Sequence, residues 1–118
     1  MKRAEFTKLV EEVLDSLPAE FRSRIQNVAV LVEDLPPGQE PPEPGKPQLL
    51  RLGLFHGVPM THKSVFQVGS GPDYIVLYQK NIEAICRDEA AVREQVRRTV
   101  IHEFGHYFGM TEEQLKDV

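Results

Sequence analysis

The sequence predicts an α+β fold: one small mixed sheet packed against an N-terminal helix and a C-terminal helix. Three observations point there. An apolar stripe with helical spacing opens the chain, three short apolar runs rich in β-branched, leucine and aromatic residues follow, and a long helical pattern comes near the end. The order is helix, strand, strand, strand, helix, without internal repeats. At 118 residues the chain has the size of one domain, 1–118, with a single core.

Phe6, Leu9, Val10, Val13, Leu14 and Leu17 recur at the three-and-four spacing of one helix face, which sets a first helix at roughly 4–16. Pro18 ends it, because the residue before a proline is pushed out of the helical region. Residues 28–32, Val-Ala-Val-Leu-Val, form a continuous apolar run that reads as a strand buried on both faces. In the stretch 35–48, six prolines surround Gly38 and Gly45. Proline can neither donate to a ladder nor continue a helix, so this stretch reads as an irregular connection.

Residues 49–55 set Leu50, Leu52 and Leu54 on one face of a second strand, and a short strand fits 64–68 inside the turn-rich stretch 57–71. Tyr74-Ile75-Val76-Leu77-Tyr78 is the third strand. Asn81 is the expected cap of a short helix carrying Ile82, Ile85 and Cys86. Asp88 is the expected cap of the long final helix, and Gly109 is its stop.

Hydrophobic residues make up 41% and charged residues 27%, which excludes a disordered or collagenous chain. The formal net charge of −4 weighs against nucleic acid as a partner, since that role needs clustered Lys and Arg. Arg93, Arg97 and Arg98 alternate with Glu89 and Glu94, so they read as a solvated helix face with spaced ion pairs. Cys86 is the sole cysteine, which rules out an intramolecular disulfide and fits a reducing compartment. Its apolar neighbours mark it as core filler rather than a nucleophile. No apolar run follows the charged start of the chain, so neither a signal peptide nor a membrane span is expected, and the expected location is cytoplasmic.

The chemistry concentrates in Thr99-Val100-Ile101-His102-Glu103-Phe104-Gly105-His106-Tyr107-Phe108-Gly109, which contains a complete H-E-x-x-H pattern. Positions four apart on a helix lie about 40° from each other, so His102 and His106 project side by side and can share one cation. Zinc takes such nitrogen ligands, and other divalent ions also fit a set of histidines and carboxylate. Glu103 lies at the edge of the same face, where it reaches a water activated at the metal rather than the metal itself. Val92, Val96, Val100, Phe104, Tyr107 and Phe108 form the opposite arc and can seat the helix on the sheet.

A catalytic zinc takes three protein ligands and keeps one position open. Only twelve residues follow His106, which leaves little room for a glutamate from a distant second helix. In the alternative layout H-E-x-x-H-x-x-G-x-x-ligand, Gly109 takes the glycine position and Glu112 the ligand position. Glu113, Asp117, His62 and His56 are the other candidates. Thr111 and Gln114 also form a capping box for a short terminal helix, in whose first turn Glu112 would sit.

With these residues in place, the chain resembles the small bacterial zincin-like metallopeptidases. The likeness runs through Phe6 with Leu9-Val10, Leu17-Pro18, Asn27-Val28-Ala29-Val30, Leu52-Gly53-Leu54-Phe55-His56-Gly57-Val58-Pro59 and Pro72 to Tyr78, and ends in the H-E-x-x-H helix and Gly109. The family's third acidic position is usually an aspartate, where this chain has Glu112. The resemblance implies a minimal zincin-like fold with a metal cleft, one zinc per chain, and hydrolysis of peptide or protein substrates with Glu103 as general base and acid. An extended peptide would pair with a sheet edge, and Tyr74, Val76 and Tyr78 supply the expected strand. Tyr78, His56 and His62 are candidate oxyanion partners.

Two other classes share these features. A zinc hydrolase of the RNA-processing type uses H-x3-H-x5-H, but here Glu112 stands where a third histidine would be. A non-catalytic metal-binding or interaction module could keep the zincin shape without the reaction.

Overall fold

The computed structural model describes residues 1–25, 28–43, 49–57, 73–107, 109 and 113. Helix α1, Arg3–Ser16, buries Phe6, Leu9, Val10 and Val13, the stripe that its spacing dictates. It stops where Leu17 turns extended ahead of Pro18. The chain then re-enters a helix at once. The Pro18 carbonyl accepts from the Phe21 and Arg22 N–H groups, starting α2, Ala19–Ile25, which buries Phe21 and Ile25. Seven residues are too few to show a helical period in sequence, and packing rather than propensity stabilises a helix this short.

Three strands follow: β1, Ala29–Glu33; β2, Gly53–His56; and β3, Tyr74–Tyr78. The sheet order is β1-β3-β2, with β1 parallel and β2 antiparallel to the central β3. β1 is therefore an edge strand, and the expectation that it is buried on both faces is corrected. Val30 and Val32 pack on the core while Ala29, Leu31 and Glu33 are exposed, Leu31 by 44%. An apolar residue on the outward side hid the alternation. β2 is shorter than the expected 49–55, although the Tyr78 N–H to Leu52 carbonyl bond carries its pairing one residue further. The strand expected at 64–68 lies outside the described residues.

The described part of the proline-rich stretch, 35–43, carries no helix or strand. Its Gln39 is tied down by Asn81: each side-chain amide donates to the other's oxygen, at 2.8 and 2.9 Å. Asn81 is not the cap of the short helix. α3 runs Gln79–Ala84 and starts directly from Tyr78, so Asn81 lies inside it, fully buried, and also donates to the Arg51 carbonyl at 2.8 Å.

Helix α4, Glu89–Tyr107, is capped as its sequence requires: the Ala91 N–H donates to the Asp88 carboxylate at 2.8 Å. At its far end the Gly109 N–H donates to the His106 carbonyl, with Gly109 at φ 75°, the left-handed conformation that glycine adopts without strain. α4 packs on α1, β2 and β3 around one core that includes Phe6, Phe21, Ile75, Leu77, Val96 and Phe104. Among the described residues no helix is long and apolar enough to cross a membrane.

Candidate metal centre and active site

The site begins with a glycine. A Cβ built on Gly53 would lie 2.8 Å from Thr99 Cγ2 on α4 and 3.2 Å from the Val76 carbonyl, so only glycine lets the helix come this close to β2. The close approach brings α4 chemistry onto the strand. Glu103 Oε2 accepts the Phe55 backbone N–H at 3.2 Å. In the β2–β3 register, the Leu52 carbonyl faces β3, so the N–H groups of Gly53 and Phe55 face away from it. The carboxylate therefore sits on the outer edge of β2.

The last turns of α4 are locked from below. Val100 and Phe104 are fully buried and Ile101 is nearly so. Phe55 packs against Phe104 edge-on at 6.2 Å and against Tyr107 at 4.5 Å between ring centres. The Tyr107 hydroxyl donates to Asp73 Oδ2 at 2.9 Å, which ties the helix end to the start of β3. On the opposite face His102 and His106 are exposed, their ring centres 5.7 Å apart and their planes at 81°.

The separation of the two ring centres is close to the one a shared metal requires. A cation 2.0–2.1 Å from one nitrogen of each ring sits about 3.2 Å from each ring centre, so at the tetrahedral angle of about 109° the centres would lie ~5.2 Å apart. Among the described residues no group of three or more His, Cys, Asp or Glu gathers to complete such a site. Glu112, Asp117 and His62 lie outside the described residues, as do Phe108 and the Thr111–Gln114 box. His56, on β2, stacks on Tyr74 at 4.7 Å.

The peptide-pairing role expected of Tyr74, Val76 and Tyr78 requires correction. β3 is the middle strand, and both of its edges are already paired, to β1 and to β2. Val76 and Tyr78 are also buried, at 7% and 4% exposure. Continuous burial of Ile75 to Tyr78 is the mark of a central strand, but an unbroken apolar run alone does not identify one, since 28–32 has such a run and lies at the edge.

A groove of about 930 Å³ leads to the site, walled by the segment Leu49–Gly53 and by α4 from Glu94 to Glu103. Sequence reasoning missed the groove, the Phe55 N–H and the Tyr107–Asp73 bond, since each depends on where distant segments meet. Gly53 within an apolar run was the one available signal. The arginines of α4 divide: Arg93 turns to Glu12 of α1 at 3.0 Å, while Arg97 and Arg98 share Glu94 beside the groove.

Comparison with known proteins gives the family and a similar fold. Residues 25–118 match the family model described as zincin-like metallopeptidase. A conserved hypothetical protein from Thermus thermophilus has a similar solved structure, with a TM-score of 0.57 and 26% identity over 92% of this chain and 94% of that one. No protein of curated function matches the sequence significantly.

Proposed function

Because the chain belongs to the zincin-like metallopeptidase family, we propose that it is a zinc-dependent peptidase in which His102, His106 and Glu112 hold the metal and Glu103 moves the proton. The observation that carries this reading is the pairing of two imidazoles 5.7 Å apart with a carboxylate already oriented by the Phe55 N–H. When bound, zinc supplies Lewis acidity that polarises the scissile carbonyl and acidifies a water.

The chain's own residues do the rest. Glu103 accepts a proton from the attacking water and delivers it to the amine nitrogen as the carbon–nitrogen bond breaks. The Phe55 N–H donates to Oε2 and so orients the carboxylate. Packing of Phe104 and the Tyr107–Asp73 bond hold the imidazoles in place, which metal ligands require. The edge offered to an extended peptide is that of β2, whose outward groups face Glu103. Peptide or protein substrates are the partners on this reading. A cytoplasmic site of action goes with it, in keeping with the free thiol of Cys86.

The test is turnover of a quenched fluorescent protein substrate by the zinc-loaded chain and by Glu103→Gln. The variant should keep its metal and lose about 10²–10⁴-fold in rate, the usual worth of a general base. Equal rates with equal metal content would remove Glu103 from the chemistry.

A further inference from the structure

The groove beside the candidate site carries a charge pattern that proton transfer and metal binding do not use. Among the described residues Arg51, Arg97 and Arg98 line it, together with the carboxylates of Glu94 and Glu103. Glu94 is shared by Arg98 at 3.2 Å and Arg97 at 4.0 Å. The Arg51 side chain makes no hydrogen bond or ion pair among the described residues. Two carboxylates do not balance three guanidinium groups, so the described lining of the groove is locally positive on a chain whose formal charge is −4. A cleft lined by one sign of charge concentrates ligands of the other.

The spacing from the site is also defined. A helix rises about 1.5 Å per residue, so Arg98 and Arg97 lie ~6 and ~7.5 Å before His102 along α4. An extended peptide advances about 3.3 Å per residue, so along a peptide laid parallel to α4 these groups would fall two or three residues from the bond beside Glu103. The remaining walls are largely aliphatic, with Leu49, Leu50, Leu52 and Ile101. Among the described residues no Phe, Tyr or Trp lines the groove, so this lining lacks the stacking platform that single-stranded nucleic acids use.

We propose that this groove is a specificity subsite for acidic peptides: it selects a carboxylate side chain two or three residues from the cleaved bond, held by Arg97 and Arg98 from α4 and by Arg51 from the facing wall. Guanidinium forks match carboxylate oxygens in geometry as well as charge. The location of the cleaved bond rests on the peptidase reading; the preference for carboxylates does not.

Binding is measured on the zinc-loaded full chain carrying Glu103→Gln, so that bound peptide persists. The probes are three fluorescein-labelled octapeptides of alanine and leucine that differ at one internal position, Glu, Gln or Lys. Fluorescence anisotropy should give the Glu peptide at least about tenfold tighter binding than the Gln peptide, with the Lys peptide weakest. High salt should shrink the preference. Adding Arg97→Gln and Arg98→Gln should reduce it to within about twofold, whereas Arg97→Lys with Arg98→Lys should retain part of it.

Equal binding of the three peptides overturns the proposal, and so does a preference that survives the double Gln substitution. Displacement of the Glu peptide by a lower concentration of single-stranded RNA overturns the peptide assignment. Cleavage by the unsubstituted chain separates the two readings. Equal cleavage of all three peptides refutes the subsite and leaves the peptidase intact. Glu-selective binding without any cleavage refutes the peptidase and leaves the subsite.

Discussion

Asn81 shows what single polar side chains contribute here. Fully buried, it bridges Gln39 in the proline-rich stretch and the Arg51 carbonyl at the groove wall. Asn81→Leu would strand the Gln39 amide and that carbonyl, and should cost about 1–3 kcal/mol in urea unfolding. A loss below a few tenths of a kcal/mol would mean that water replaces the network. Cys86 makes the opposite case. Burial first, and the charge of Asp88 second, raise its thiol above the ordinary 9.0. It should stay protonated at neutral pH and alkylate more slowly than a free cysteine. The sign of its linkage follows: its contribution to stability is complete below the ordinary, unfolded value and fades as pH rises through the higher folded value. Cys86→Ala should flatten that alkaline decline, measured by thermal melts across the range. An unchanged decline would place its origin in other groups.

At the scale of elements, legibility followed local signals. α1, β3 and α4 were readable because an apolar stripe, a run of β-branched and aromatic residues and an Asp88–Gly109 pair of caps each act over a few residues. α2 was not, since two anchors, Phe21 and Ile25, make no period. The start of α3 was missed because buried Gln79 looks like a loop residue. In the fold it answers Arg3, Met1 and Glu83 through its amide. Strand order was also hidden, because the hydrophobic pattern of β3 cannot say which strands flank it. The same logic separates the histidines and Glu103, set by helical spacing, from the Phe55 N–H, which Glu103 meets only after β2 docks. That docking depends on Gly53. Gly53→Ala should destabilise the chain by about 1–3 kcal/mol through overpacking against Thr99 and weaken metal binding as well. Thr99→Ser, which removes the clashing methyl, should restore part of both losses in a double-mutant cycle. Purely additive losses would mean that the two residues do not meet.

For the whole molecule, one core both holds the fold and aims the site. Phe104 is fully buried beside Phe55, one residue from Glu103 and two from each histidine, so core packing and ligand placement are one event. Metal should therefore stabilise the folded chain, by about 2.7 kcal/mol when free zinc is a hundred times its dissociation constant, and raise the melting temperature accordingly. The central claim is that His102, His106 and Glu112 together hold a metal, and metal content per chain tests it most directly. Elemental analysis of natively purified protein should find about one zinc per chain, abolished by His102→Ala and weakened by Glu112→Ala. Protein that stays free of metal even after zinc is offered would contradict the claim and leave a zincin scaffold that acts by binding alone.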